Sequence, residues 1–229
     1  MISYDFFVSN TMLTLDERKA VFWKETSALF IADLHLGKIS HFRKAGIGIP
    51  TAAAKMNLDV LESLFIDYEP SQCFFLGDLF HSAANEEWFD FQVLCQKYGH
   101  IHFHLIAGNH DSKLLKYLKN NQSDWLIKSD HLVLPPFFLT HEPENMIASE
   151  RLILSQNHLF RLCGHYHPKV KLSGWGKQQI SMPCFHFSKN QGILPSFGQF
   201  TGGSYIKARE GDQIFGVMND NIYPVGLTD

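Results

Sequence analysis

The chain opens on short apolar and aromatic runs. DFFVS, MLTL and AVFWK are separated by polar breaks at Ser9-Asn10 and Asp16-Glu17, and runs of this length bounded by turn residues predict strands. A fourth run, ALFIA within residues 27–32, has no polar alternation and reads as a buried strand ending at Asp33. Residues 36–46 carry Lys38, His41, Arg43 and Lys44 and read as a basic helical turn or loop. After Pro50 the period changes. Met56, Leu58, Leu61, Leu64, Phe65 and Tyr68 make one apolar stripe at helical spacing, stopped by Pro70. CFFLG is again a buried strand, and it ends at Asp78. Residues 86–98 predict a second helix with Trp88, Phe89, Phe91, Leu94 and Cys95 on its core face and Gly99 as its C-terminal cap.

The alternation continues. Residues 100–107 form a strand that runs into Gly108-Asn109-His110-Asp111, followed by a third helix over 113–118. Shorter strands lead to Thr140-His141 and to Cys163-Gly164-His165. From Gly174 onward the pattern predicts loops and a final hairpin, IFGVM and IYPV about Asn219-Asp220-Asn221. Strands, then alternating strands and helices, then strands again predict an α/β fold of layered, mixed sheets. No repeat, linker or charge run divides the chain, so residues 1–229 are expected to form a single domain.

Composition narrows this picture little. Apolar residues make up 45% and charged residues 19%, as in ordinary soluble domains. No stretch reaches the roughly 18 apolar residues of a membrane helix, and the opening residues lack the basic-then-apolar form of a signal peptide. Cys73, Cys95, Cys163 and Cys184 lack metal-ligand spacing and read as reduced core thiols, which predicts a cytoplasmic protein. The net charge of −3 does not suggest a strongly basic nucleic-acid surface. A site that holds divalent metals supplies its own positive field regardless.

The chemistry lies where the strands end. Five of them terminate in Asp33-Leu34-His35, Gly77-Asp78, Gly108-Asn109-His110-Asp111, His141 and Gly164-His165-Tyr166-His167. Sites of open α/β sheets gather beyond the carboxyl ends of strands, so these clusters can converge. Nitrogen and oxygen donors without thiolate suit Mn, Fe, Zn and similar ions. Asp33, His35, Asp78, Asn109, His141, His165 and His167 are too many donors for one ion, and Asp78 is the central candidate for a bridge between two. The adjoining glycines fit tight turns and close backbone approach.

The ordered set D-x-H, G-D, G-N-H-D, H and G-H-x-H resembles the calcineurin-like metallophosphoesterase superfamily over most of the chain. The resemblance implies a four-layer α/β/β/α sandwich and two divalent ions, Mn²⁺ first, with Zn, Fe or Mg as alternatives. It places Asp33, His35 and His167 on one ion, Asn109, His141 and His165 on the other, and Asp78 between them. A hydroxide shared by the ions would attack phosphorus, His110 would assist the leaving group, and Asp111 would orient that imidazole. Many members carry a second acid three residues after the bridging one. Here that position is His81, which instead becomes a candidate for touching substrate. Lys38 and especially Arg43 are candidates for gripping phosphate.

Residues 31–50, LGDLFHS at 76–82, MPCF at 182–185 and LPSFGQFTGG at 194–203 resemble the bacterial ligase-associated, DNA-damage-response branch. That implies a phosphodiesterase or endonuclease on DNA or RNA, a place in DNA repair, and association with a DNA ligase/helicase system. Phe185, Phe197 and Phe200 could then stack bases, although packing beneath loops is the commoner use of such residues. The rivals are a phosphomonoesterase, a UDP-diacylglucosamine-type pyrophosphatase and a non-catalytic scaffold of the same fold. The pyrophosphatases typically have Arg where His110 stands, and the scaffolds can lose the ligands that are all present here. His100, His102 and His104 alternate on one strand with no acid beside them and are expected to be structural.

Overall fold

The computed structural model describes residues 2–226 apart from 45, 49–51, 82–85, 121–124, 144–150, 152, 155–157 and 174–177. Pro50 and Ser82, named above, lie outside the described residues, and part of the 174 onward tail does too.

The N-terminal runs form a meander, β1 (Ser3–Val8), β2 (Thr11–Asp16), β3 (Ala20–Trp23) and β4 (Ala28–Ile31), paired antiparallel in sequence order. Helix α1 (Lys38–Lys44) follows, the helical alternative of the helical turn or loop expected there. Helix α2 (Ala52–Tyr68) then crosses over to β5 (Gln72–Leu76), α3 (Glu86–Lys97) to β6 (His102–Ile106), and α4 (Ser112–Asn120) to β7 (Leu126–Ser129). β4, β5, β6 and β7 are parallel neighbours, completing a seven-stranded sheet.

The second sheet has nine strands. They are β8 (His131–Leu134), β9 (Phe137–Thr140), β10 (Phe160–Cys163), β11 (Pro168–Ser173), β12 (Gln179–Phe187), β13 (Gln191–Ile193), β14 (Ser204–Tyr205), β15 (Gln213–Met218) and β16 (Asn221–Val225). β9, β10 and β13 run parallel at its heart. The C-terminal tail thus holds far more strand than the loops expected of it, because β12 pairs with β11, β13 and β15 along its length. The hairpin of β15 and β16 is as expected, with Asn219 and Asp220 both at positive φ, the backbone of a tight type I′ turn.

Period-2 geometry divides the core. On β4, Leu29 and Ile31 face the helices while Ala28 and Phe30 face the second sheet. On β5, Cys73 and Phe75 face the helices while Phe74 and Leu76 face the second sheet. Such strands are buried on both faces, which is why they read as unbroken apolar runs. Among the described residues, α2, α3 and α4 make a single helical layer over the first sheet. Their faces are narrower than the sequence pattern suggests. Met56 and Phe89 point to solvent, and Gly99 keeps negative φ, so it is not a left-handed cap. The four cysteines are free and buried. No described helix is long and apolar enough to cross a membrane.

Candidate metal centre

The parallel strands β4, β5 and β6 end side by side, and so do β9 and β10 in the facing sheet. Their C-terminal loops meet. The loop after β4 runs along the loop after β5, with Asp33 N–H donating to Gly77 O, His35 N–H to Asp78 O and His81 N–H to Leu36 O. Gly164 N–H donates to His141 O, which joins the two loops of the second sheet.

Glycine is required at these crossings. At Gly77, with φ +78°, a Cβ would fall inside the imidazole of His141. At Gly164 it would meet the Asp33 carboxylate and the Ala32 side chain. The ligand candidates themselves share an unusual backbone. Asp33, His35, Asp78, His165 and His167 all have φ between 45° and 71°. Left-handed backbone is uncommon for residues with a Cβ, and such strain collects at functional sites.

The side chains converge. His35 Nε2 lies 3.2 Å from His167 Nε2, and His165 Nδ1 lies 3.1 Å from His141 Nε2. Asp33 Oδ1 is 3.6 Å from His167 Nε2, and Asp78 Oδ1 is 3.5 Å from His141 Nε2. Asp33, His35 and His167 form one group able to hold an ion, and Asp33, Asp78 and His141 form another. Asp33 thus belongs to both groups and is as central as Asp78.

The donor set fits a cation. Asp33 Oδ1 is buried without a hydrogen-bond partner, as is His35 Nδ1. His141 Nδ1 donates to Leu76 O at 3.0 Å and His167 Nδ1 to Thr201 O at 3.3 Å, since a carbonyl only accepts. Each imidazole is left with its Nε2 lone pair turned toward the carboxylates, the tautomer a metal ligand needs. Burial, aided by the Lys38 charge and neighbouring histidines, pushes His35 down to about 2 and keeps it neutral. Asn109 is exposed on the loop after β6, and its side chain makes no hydrogen bond among the described residues.

His110 stands at the mouth, its side chain half exposed, with Nε2 3.9 Å from Asp78 Oδ2. Its backbone N–H donates to Asp78 Oδ1 at 3.0 Å. Asp111 does not touch the imidazole. It is fully buried, with one oxygen accepting from Phe80 N–H at 3.1 Å and the other from Gly108 N–H at 2.9 Å. Burial pushes its carboxyl up to about 6, against those two amide bonds. The expectation that Asp111 orients His110 directly is therefore corrected: it clamps the loop on which His110 sits.

The surroundings hold further surprises. His81 packs against His41 and His110, with ring centroids 5.3 Å from each, and has His35 at 6.0 Å. Its Nδ1 is buried without a partner, and burial followed by the Lys38 charge lowers its pKa. Arg43 is exposed on α1 and makes no hydrogen bond or ion pair among the described residues. Lys38, five residues earlier on α1, is instead turned inward. Its Nζ donates to Thr201 O at 3.4 Å within the fields of Asp78 and Asp33. Burial lowers its pKa, and the two carboxylates oppose that shift. The device that aims α1 lies on α3. Glu87, 6% exposed, accepts from Gly37 N–H and Ser40 Oγ–H, both at 2.6 Å, and so ties the start of α1 to α3. Nothing in the local sequence connects residues this far apart. His104, by contrast, stacks on Phe74 at 4.5 Å and is structural, as expected.

Comparison with known proteins agrees with this geometry. The structure is similar to that of the Pseudomonas putida nuclease MPE, with a TM-score of 0.73, 24% identity and coverage of 97% of this chain and 100% of that one. A weaker likeness links it to the E. coli phosphoesterase YfcE, at TM-score 0.45 and 17% identity, covering 86% of this chain and 97% of that one. No curated protein matches. The family model for calcineurin-like phosphoesterases matches residues 26–198, a span that contains every strand-end donor described above. With Asp and His side chains gathered there in acceptor form, the chain belongs to the calcineurin-like phosphoesterase family and is a metal-dependent phosphoesterase.

Proposed function

We propose that the protein is a phosphodiesterase using two divalent ions, with nucleic acid or a nucleotide as its substrate. The observation that carries this reading is the overlap of two ligand groups through Asp33, with Asp78 and three imidazoles closing around them. Asp33, His35 and His167 would hold one ion, and Asn109, His141 and His165 the other, with Asp78 shared. Manganese suits this nitrogen and oxygen set, as would zinc, iron or magnesium. Bound ions would supply the positive charge that phosphate oxygens require and would acidify water.

The remaining work falls to the chain. His110 is close enough to the Asp78 carboxylate to be held and exposed enough to meet a leaving oxygen, to which it would deliver a proton. Lys38 adds a cation beside the carboxylates, where a phosphate would sit. Asp111 keeps the His110 loop in place from beneath. Residues 31–50 and 194–203 resemble the ligase-associated branch; of these, 31–43 and 194–203 frame this centre, and the resemblance supports a polynucleotide substrate and a role in DNA repair.

The test is a pair of initial rates with Mn²⁺, on a chromogenic phosphodiester and on its monoester, for the wild type and Asp78→Asn. The diester should be preferred, and the variant should lose both metal and turnover. A monoester preference would overturn the polynucleotide reading, and full metal content with full activity in Asp78→Asn would overturn the ligand assignment.

A further inference from the structure

Residues 196–204 form a strap tied to both sides of the centre. Ser196 Oγ–H donates to Asp33 O at 2.9 Å, Phe197 N–H to Ala32 O and Gly198 N–H to Asp33 O. Gln199 N–H donates to the buried Asn57 Oδ1, and Thr201 O accepts from His167 Nδ1. The strap is therefore positioned by the same loops that carry Asp33 and His167.

At its crest stands Phe200, with φ +60° and 52% of its surface exposed. A bulky aromatic in left-handed backbone is an outlier that needs a reason. Phe185 and Phe197 are buried in the core, so neither is open to a ligand. Among the described residues the Phe200 ring meets no other ring and no cation. Beside it lies a cavity of about 320 Å³, bounded by Lys19, His167, Lys169, Pro183, Gln199 and Phe200 itself. Its two lysines differ in use. Lys19 Nζ donates to Phe197 O at 2.6 Å and is committed to the strap. Lys169 runs its stem under Gly203, and its ammonium has no hydrogen bond or ion pair among the described residues.

An open aromatic face, a free ammonium and a ligand of the metal centre thus border one cavity. We propose that this cavity is a nucleotide subsite: Phe200 stacks the base next to the scissile bond, and Lys169 holds the neighbouring phosphate. This rests on the phosphodiesterase reading above. Stacking on an aromatic tolerates any base, since every base has a π face, so the subsite would grip strands without reading sequence.

The test compares KM for an oligothymidylate and its abasic counterpart in the wild type, Phe200→Ala and Phe200→Trp. Binding of both strands, fluorescein-labelled, is measured alongside by anisotropy. The wild type should favour the base-bearing strand roughly tenfold, a usual size for one stacked base. Phe200→Ala should bring the two strands within about twofold, and Phe200→Trp should keep the preference. Lys169→Gln should weaken both strands together and flatten the salt dependence of binding. An enzyme that cleaves both strands with no base preference, or with one that Phe200→Ala leaves intact, overturns the subsite while the phosphodiesterase reading stands. A Phe200-dependent base preference in binding, with hydrolysis of monoesters alone, overturns that reading and leaves the subsite standing.

Discussion

The imidazole of His141 is turned by the carbonyl of Leu76, which accepts a hydrogen bond from Nδ1–H at 3.0 Å and leaves Nε2 facing Asp78. Leu76 is the last residue of β5, and the next, Gly77, makes room for the ring. Removing the ring or filling its space should have the same result. His141→Ala and Gly77→Ala should each weaken manganese binding at least tenfold, the lower end of what lost outer partners cost. Titration calorimetry checks this, and unchanged affinity in both would remove His141 from the ligand set.

Asp111 acts through the backbone. Asp111→Ala leaves two buried N–H groups without acceptors and should cost about 2–4 kcal/mol in urea unfolding. Activity should fall with it, because the loop carrying His110 loosens. Asp111→Asn keeps one acceptor oxygen and should lose less stability. A large drop in kcat with no change in stability would show instead that Asp111 acts on the reaction itself.

Of the two basic residues on α1, the inward one should matter more. Lys38→Met should raise KM for a phosphodiester roughly tenfold, as expected from losing one charge-assisted contact worth about 1.5 kcal/mol. Arg43→Ala should change it less, since Arg43 reaches no part of the centre among the described residues. Steady-state kinetics on the two variants decides between them, and the reverse order would put the phosphate grip at Arg43.

Asp16 should contribute to acid stability. It is fully buried and accepts from Arg18 Nε, Arg18 Nη2 and Tyr68 Oη, each at 2.8 Å. Burial raises its pKa, but the hydrogen bonds from Arg18 outweigh that and leave it below the ordinary 3.8. The folded state therefore binds the proton less readily than the unfolded chain. The stability this contributes is complete above the ordinary carboxylate value and is lost as pH falls through the folded one. Asp16→Asn should lower stability at pH 7 by about 2 kcal/mol, because it removes the more buried of the two carboxylates that pair with Arg18 and leaves Asp67 as the other. The gap from wild type should shrink as the melts are repeated toward pH 3. A gap that does not change with pH would mean that the charge of Asp16 contributes nothing.

Much of this protein was legible in its residues. Asp, Asn and His offer the oxygen and nitrogen donors that hard and borderline metals take, so a set of strands each ending in those types announces a site before any contact is known. Strand and helix periods were legible for the same reason, since they follow from local geometry. What only the tertiary structure decided are relationships between distant segments. Glu87 on α3 ties down Gly37 and Ser40 at the start of α1, the helix on which Lys38, rather than Arg43, lies toward the carboxylates. Phe80 and Gly108 occupy both oxygens of Asp111, and the strap leaves Phe200 open while Phe185 and Phe197 enter the core. A sequence shows which side chains are able to do chemistry. Which of them face one another depends on packing, and packing joins residues that nothing local connects.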